Sequence, residues 1–95
     1  MVRPQAISKT EASKQLSVVV EYWLKNAIFV INERLQNFSG GVYTINDSDI
    51  GLENLSSAAQ TRAITEIHNI YCATEWKVSH EYGDPRDPEG WFTFW

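Results

Sequence analysis

The chain has 95 residues, a formal net charge of −4 and a single cysteine. A domain of this length buries roughly 60–70% of the surface its unfolded form exposes, which supports one modest core and leaves little for a deep, walled active site. The lone Cys72 excludes an intrachain disulfide, and the eight lysines and arginines are scattered singly, without the clustering that nucleic acid or an anionic membrane requires.

One domain is expected over residues 1–95, with residues 1–7 frayed. The first thirteen residues contain no apolar leader core, and cytoplasmic residence is the default expectation. The apolar stretch over residues 16–31 is too short for a membrane span and carries Glu21 and Lys25. The Asn-x-Ser triplets at Asn37, Asn46 and Asn54 then read as chance matches.

Ser8-Lys-Thr-Glu11 has capping-box spacing and opens a helix expected to run to about residue 37. Its main stripe is Leu16, Val20, Trp23, Leu24, Ala27, Ile28, Ile31, Leu35 and Phe38, at helical period. Val18-Val19-Val20 and Ile28-Phe29-Val30-Ile31 are rich in β-branched residues, so a hairpin turning at Lys25-Asn26 is the alternative. That turn lacks Asn-Gly chemistry, which favours the helix. Val18, Tyr22, Phe29 and Val30 fall outside the stripe. A helix apolar around so much of its circumference is covered on more than one side, either by the C-terminal hairpin or by a second copy of the chain.

Ser39-Gly40-Gly41 is expected to end this helix with a glycine cap. Val42-Tyr43-Thr44-Ile45 reads as a short strand. The residues 46–51 have turn chemistry, and those up to Leu55 read as an irregular connection or a single helical turn. Ser57-Ala-Ala-Gln60 is a second capping box. The helix it opens carries Ala59, Ala63, Ile67, Ile70, Tyr71 and Thr74 on one side. No glycine or proline separates that helix from Trp76.

The last twenty residues hold two aromatic runs around a loop edged by Gly83 and Gly90, which is a hairpin signal. Alternation sets Trp76, Val78, His80 and Tyr82 on one face of the first strand. In the second strand Phe92 and Phe94 oppose Trp91, Thr93 and Trp95. Both of its faces are apolar, so it requires a second neighbour.

Motifs for chemistry are weak. Asp47-Ser-Asp49-Ile-Gly51-Leu-Glu53 has the alternating carboxylates of a calcium loop, but glycine stands at the fifth position and Ala58 stands where a bidentate glutamate is needed. His68 and Cys72 share a helix face and could join His80 around zinc, yet a structural site wants four ligands. No nucleophile elbow or phosphate loop is present. The pairs Glu75/Glu81 and Asp84/Asp87 sit in an exposed hairpin, where raised carboxyl pKa values are not expected. Aromatic stacking on single-stranded nucleic acid lacks a basic groove.

These observations predict an α+β fold: a long N-terminal helix, a short strand, a second helix, and a C-terminal β-hairpin forming a small antiparallel sheet packed on the helices. The expected function is a non-catalytic protein-binding module, such as an adaptor, an assembly subunit or an inhibitor of a larger protein. The expected contact surface is Tyr82, Asp84, Arg86, Asp87, Trp91 and Trp95, because tryptophan, tyrosine and arginine dominate binding hot spots. Val18, Tyr22 and Phe29 are expected to mediate self-association as a homodimer. No cofactor, metal, nucleic acid or membrane is expected. The alternative is a small-ligand-binding or enzymatic homo-oligomer with an inter-chain pocket near His68, His80 and Tyr82.

Overall fold

A long helix, α1 (Lys9–Leu35), leads into strand β1 (Tyr43–Asn46), two single-turn 3-10 segments (Asp47–Ile50 and Leu52–Asn54), helix α2 (Ser57–Cys72) and strands β2 (Val78–Glu81) and β3 (Trp91–Phe94). The structure is a computed structural model and describes residues 6, 8–86 and 88–95. The end expected to be frayed lies, apart from Ala6, outside the described residues, as does Asp87. The α+β architecture read from the sequence is the one observed. No helix among the described residues is long and apolar enough to cross a membrane.

α1 begins where the capping box places it. The Ser8 hydroxyl accepts from the Glu11 backbone N–H at 3.1 Å, satisfying one of the helix's orphan donors. It continues as a single helix through Lys25 and Asn26. Val20, Ala27 and Ile31 are fully buried along one line of it, and only helical period gathers those three on one side. The glycine cap expected at Ser39-Gly40-Gly41 is not used. α1 stops at Leu35 with Gln36 right-handed at its C-cap, and the two glycines instead reverse the chain into β1.

α2 starts one residue earlier than its expected cap. Ser56 rather than Ser57 accepts from the backbone N–H three residues on, that of Ala59, at 3.3 Å. The Gln60 side chain donates to the Leu55 carbonyl at 2.9 Å. Ala59, Ala63, Ile67 and Tyr71 recur every fourth residue and are buried. α2 ends through Glu75, which takes the left-handed conformation at φ 75°. This lets the Trp76 N–H reach back to the Tyr71 carbonyl at 3.1 Å, a closure that usually employs glycine.

The sheet is antiparallel with order β1-β3-β2. β1 therefore lies along the second edge of β3 and covers neither of its faces; the cover expected on both sides is met, among the described residues, on the Phe92 and Phe94 side, and Trp95 stays exposed on the other. Phe92 sits between Ile45 and His80, and Phe94 between Tyr43 and Val78. Phe92 and Phe94 are fully buried on the helix side, while Trp91, Thr93 and Trp95 lie on the outer side. Reciprocal bonds between Lys77 and Trp95, at 2.9 and 3.0 Å, extend the β2–β3 ladder by one pair. Tyr71 joins the helices to each other and to the sheet. Its hydroxyl donates to Asn32 Oδ1 at 2.7 Å, and its ring meets Phe94 edge to face at 5.4 Å. Burial pushes the Tyr71 phenol up to about 12, because the phenolate would lose its hydration.

Candidate protein-binding surfaces

Opposite the buried line of α1 lies a second apolar line. Val18 is 64% exposed, Tyr22 81% and Phe29 63%, with Val19 beside them. Tyr22 lies five residues from Ala27 and nine from Ile31, which at 3.6 residues per turn sets them on opposite sides of the helix. The hairpin does not wrap this face. The line of Val20, Ala27 and Ile31 faces the shared core on the other side, where α1 meets α2, the first 3-10 segment and β1. A groove of about 700 Å³ runs along the outer face between Val19, Tyr22, Phe29, Trp23 and Leu55. Its side wall is fixed, because the Trp23 indole N–H donates to the Ile50 carbonyl at 2.7 Å and pins the connecting turns beside α1.

The residues expected to form the hairpin surface do not stand together equally. Tyr82 is 70% exposed and Trp95 43%, while Trp91 is half-buried on the outer side of the sheet between Asn46 and Glu81. Asp84 and Arg86 are exposed in the loop. The Asp84 carboxylate accepts from the Arg86 backbone N–H at 2.8 Å, a local Asx turn that fixes the tip. Phe38 and Trp76, which meet edge to face at 4.8 Å, line a shallow hollow with Trp95 at the opposite end of the sheet from this loop.

The residues of the alternative ligand pocket go to different places. His68 is exposed on α2 beside Cys72, whose sulfur lies 3.7 Å from its Nε2. His80 is covered, with 5% of its side chain exposed. Its ring packs against Tyr82 at 4.8 Å and Phe92 at 4.6 Å. Its Nε2 lies 3.0 Å from both carboxylate oxygens of Asp47. A carboxylate only accepts, so Nε2 carries the proton; Nδ1 is buried without a hydrogen-bond partner among the described residues.

This His80–Asp47 tie was not read from the sequence. The two residues flank β3 from opposite edges, and the gap between them exists because β3 is preceded by Gly90. A Cβ at Gly90 would come 2.5 Å from the Asp47 carboxylate and 2.6 Å from the Glu81 carbonyl. With no side chain there, the Asp47 N–H reaches the Gly90 carbonyl at 3.0 Å, and the imidazole crosses diagonally. The signal available in the sequence was a glycine at the very start of an aromatic strand, which marks close backbone approach. The remaining acids of the turn have local duties. Asp49 accepts from the Asn46 N–H at 3.3 Å and lies 3.9 Å from Arg34, and the Ser48 hydroxyl donates to Glu89.

Comparison with protein-family models, with curated proteins and with solved structures found no match. The geometry alone carries the functional reading.

Proposed function

We propose that this protein is a non-catalytic protein-binding module, an adaptor, assembly subunit or inhibitor, that docks through the outer face of α1. The observation that carries the reading is the apolar line of Val18, Tyr22 and Phe29 left at the surface beside a walled groove. Exposed apolar patches of this kind mark interaction sites on soluble domains. The hairpin residues Tyr82, Asp84 and Arg86, with Asp87 in the same loop, supply a second contact region, and Trp95 a separate one at the other end of the sheet beside Phe38 and Trp76. The non-catalytic part of the proposal is supported by the state of the histidines. His80 is covered and tied to Asp47, and His68 faces outward on another element. The exposed thiol of Cys72 suits a reducing compartment such as the cytoplasm.

The test is affinity capture with the wild-type chain and with a Tyr22→Ser/Phe29→Ser variant. Both substitutions are on exposed positions and are expected to leave the helical circular-dichroism signal unchanged. Captured proteins that are retained by wild type and lost by the variant support the proposal. Capture that is identical for the two removes the outer face of α1 as the docking surface.

A further inference from the structure

We infer that the outer face of α1 takes a second copy of this chain, with the two α1 helices running antiparallel about a two-fold axis between Tyr22 and Lys25. The inference rests on the protein-binding reading above and names its partner.

Three features of the helix argue for it. The first is self-complementarity. A two-fold axis between Tyr22 and Lys25 pairs residues whose numbers sum to about 47. Val18 then meets the second copy's Phe29, and Phe29 meets its Val18. Apolar side chains meet apolar ones at both ends of the contact. At the centre Lys25 comes over the second copy's Tyr22 ring, a favourable cation–π arrangement.

The second feature is charge. Glu21 and Lys25 lie one turn apart on the same flank of the exposed face. A two-fold axis perpendicular to both helices keeps flanks together, so each copy's Glu21 lies beside the other's Lys25. A parallel pair, related by a two-fold along the helices, brings opposite flanks together, so Glu21 and Lys25 would lose this pairing. The charges thus select direction, as flanking charges do between paired helices.

The third is area and length. Tyr22 and Phe29 are 81% and 63% exposed, and an aromatic side chain buries roughly 150–250 Å². The two rings alone place on the order of 300 Å² of each copy on the surface, before the valines are added. α1 also outruns its own domain. Every residue over 9–15 is exposed, and the radius of gyration is 16.0 Å, against about 13 Å for a compact chain of nearly this length. In the antiparallel pair this uncovered end lies along the second copy's residues 32–38, so each copy covers the other's overhang. The contact lengthens toward the size of a specific interface, about 800 Å² per partner.

Analytical ultracentrifugation of the full chain at about 100 µM, in the micromolar range that suits a contact of this size, is expected to give twice the 10.9 kDa chain mass. The Tyr22→Ser/Phe29→Ser variant is expected to dissociate at least about tenfold more readily. Direction is read by disulfide trapping in a Cys72→Ser background. Gln15→Cys and Glu33→Cys chains are mixed in equal amounts and oxidised with oxidised glutathione. The mixed 15–33 disulfide is expected to dominate, whereas dominant 15–15 and 33–33 disulfides overturn the antiparallel arrangement. A wild-type chain that is monomeric at about 500 µM overturns the second copy as occupant. If that monomer nevertheless retains captured proteins that the serine variant loses, the protein-binding reading stands and only its partner changes. A dimer unaffected by the two serines places self-association elsewhere and overturns the inference.

Discussion

The two helices share one sheet and divide their apolar residues in opposite ways. α2 puts Ala59, Ala63, Ile67 and Tyr71 inside, and its far side carries Thr61, Arg62, Thr65 and Asn69. α1 puts Val20, Ala27 and Ile31 inside and then repeats an apolar line on the side facing away. α2 has what a helix needs to cover a sheet. α1 has that and a surplus that the folded chain does not use. Burial energetics cannot explain the surplus within one copy, because a side chain that stays in water contributes no hydrophobic stabilisation. The difference therefore separates residues retained for folding from residues available for association.

The comparison breaks first at the buried line. Ile31→Ala, at a fully buried position, is expected to cost about 2–5 kcal/mol in urea unfolding; a smaller loss would mean that α1 contributes less to the core than α2. Next comes the tie between the helices. Tyr71 is raised from 10.0 to about 12 in the folded state. The unfolded chain therefore loses this proton first as the pH rises. The stability conferred by the neutral phenol is complete below pH 10 and is lost as the pH rises from 10 through about 12. Tyr71→Phe is expected to remove that loss, and an unchanged loss would assign it to other groups.

A smaller effect of opposite sign belongs to the end of α2. Glu75→Gly relieves a left-handed residue and is expected to stabilise by up to about 1 kcal/mol, read as a higher urea midpoint. Smallest is Tyr22→Ser on the outer face. At concentrations low enough to keep copies apart, its effect on unfolding is expected to stay within about 0.5 kcal/mol. A large loss there would show that the outer face supports the fold.

Much of the architecture was legible because it rests on local rules. Ser8 and Glu11 are a cap three residues apart. The fourfold spacing of Ala59, Ala63, Ile67 and Tyr71 is a period, and the alternation of Phe92 and Phe94 is a face. Errors arose where two residues offered the same chemistry or where a residue did another's work. Ser56 and Ser57 are interchangeable as caps on sequence grounds, and Gln60 turned out to bond Leu55. The end of α2 was illegible because glutamate, not glycine, takes the left-handed position. The outer line of α1 was legible as surplus, since it breaks the single-stripe pattern. The His80–Asp47 tie was not, because it joins residues 33 apart across a strand neither belongs to, and only the sheet order brings them together.

That tie also fixes how the hairpin can vary. Glu81 and Trp91 are ladder partners, the Gly90 carbonyl is bonded to Asp47, and His80 bridges the same corner. The base of the hairpin is thus closed three times over before the chain reaches its tip. Pro85 and Arg86, exposed beyond this clamp, lie outside the strand register. Such a segment is a natural place to graft a foreign peptide or a reporter loop, since a longer loop raises closure entropy only slowly and the clamp below it holds the frame.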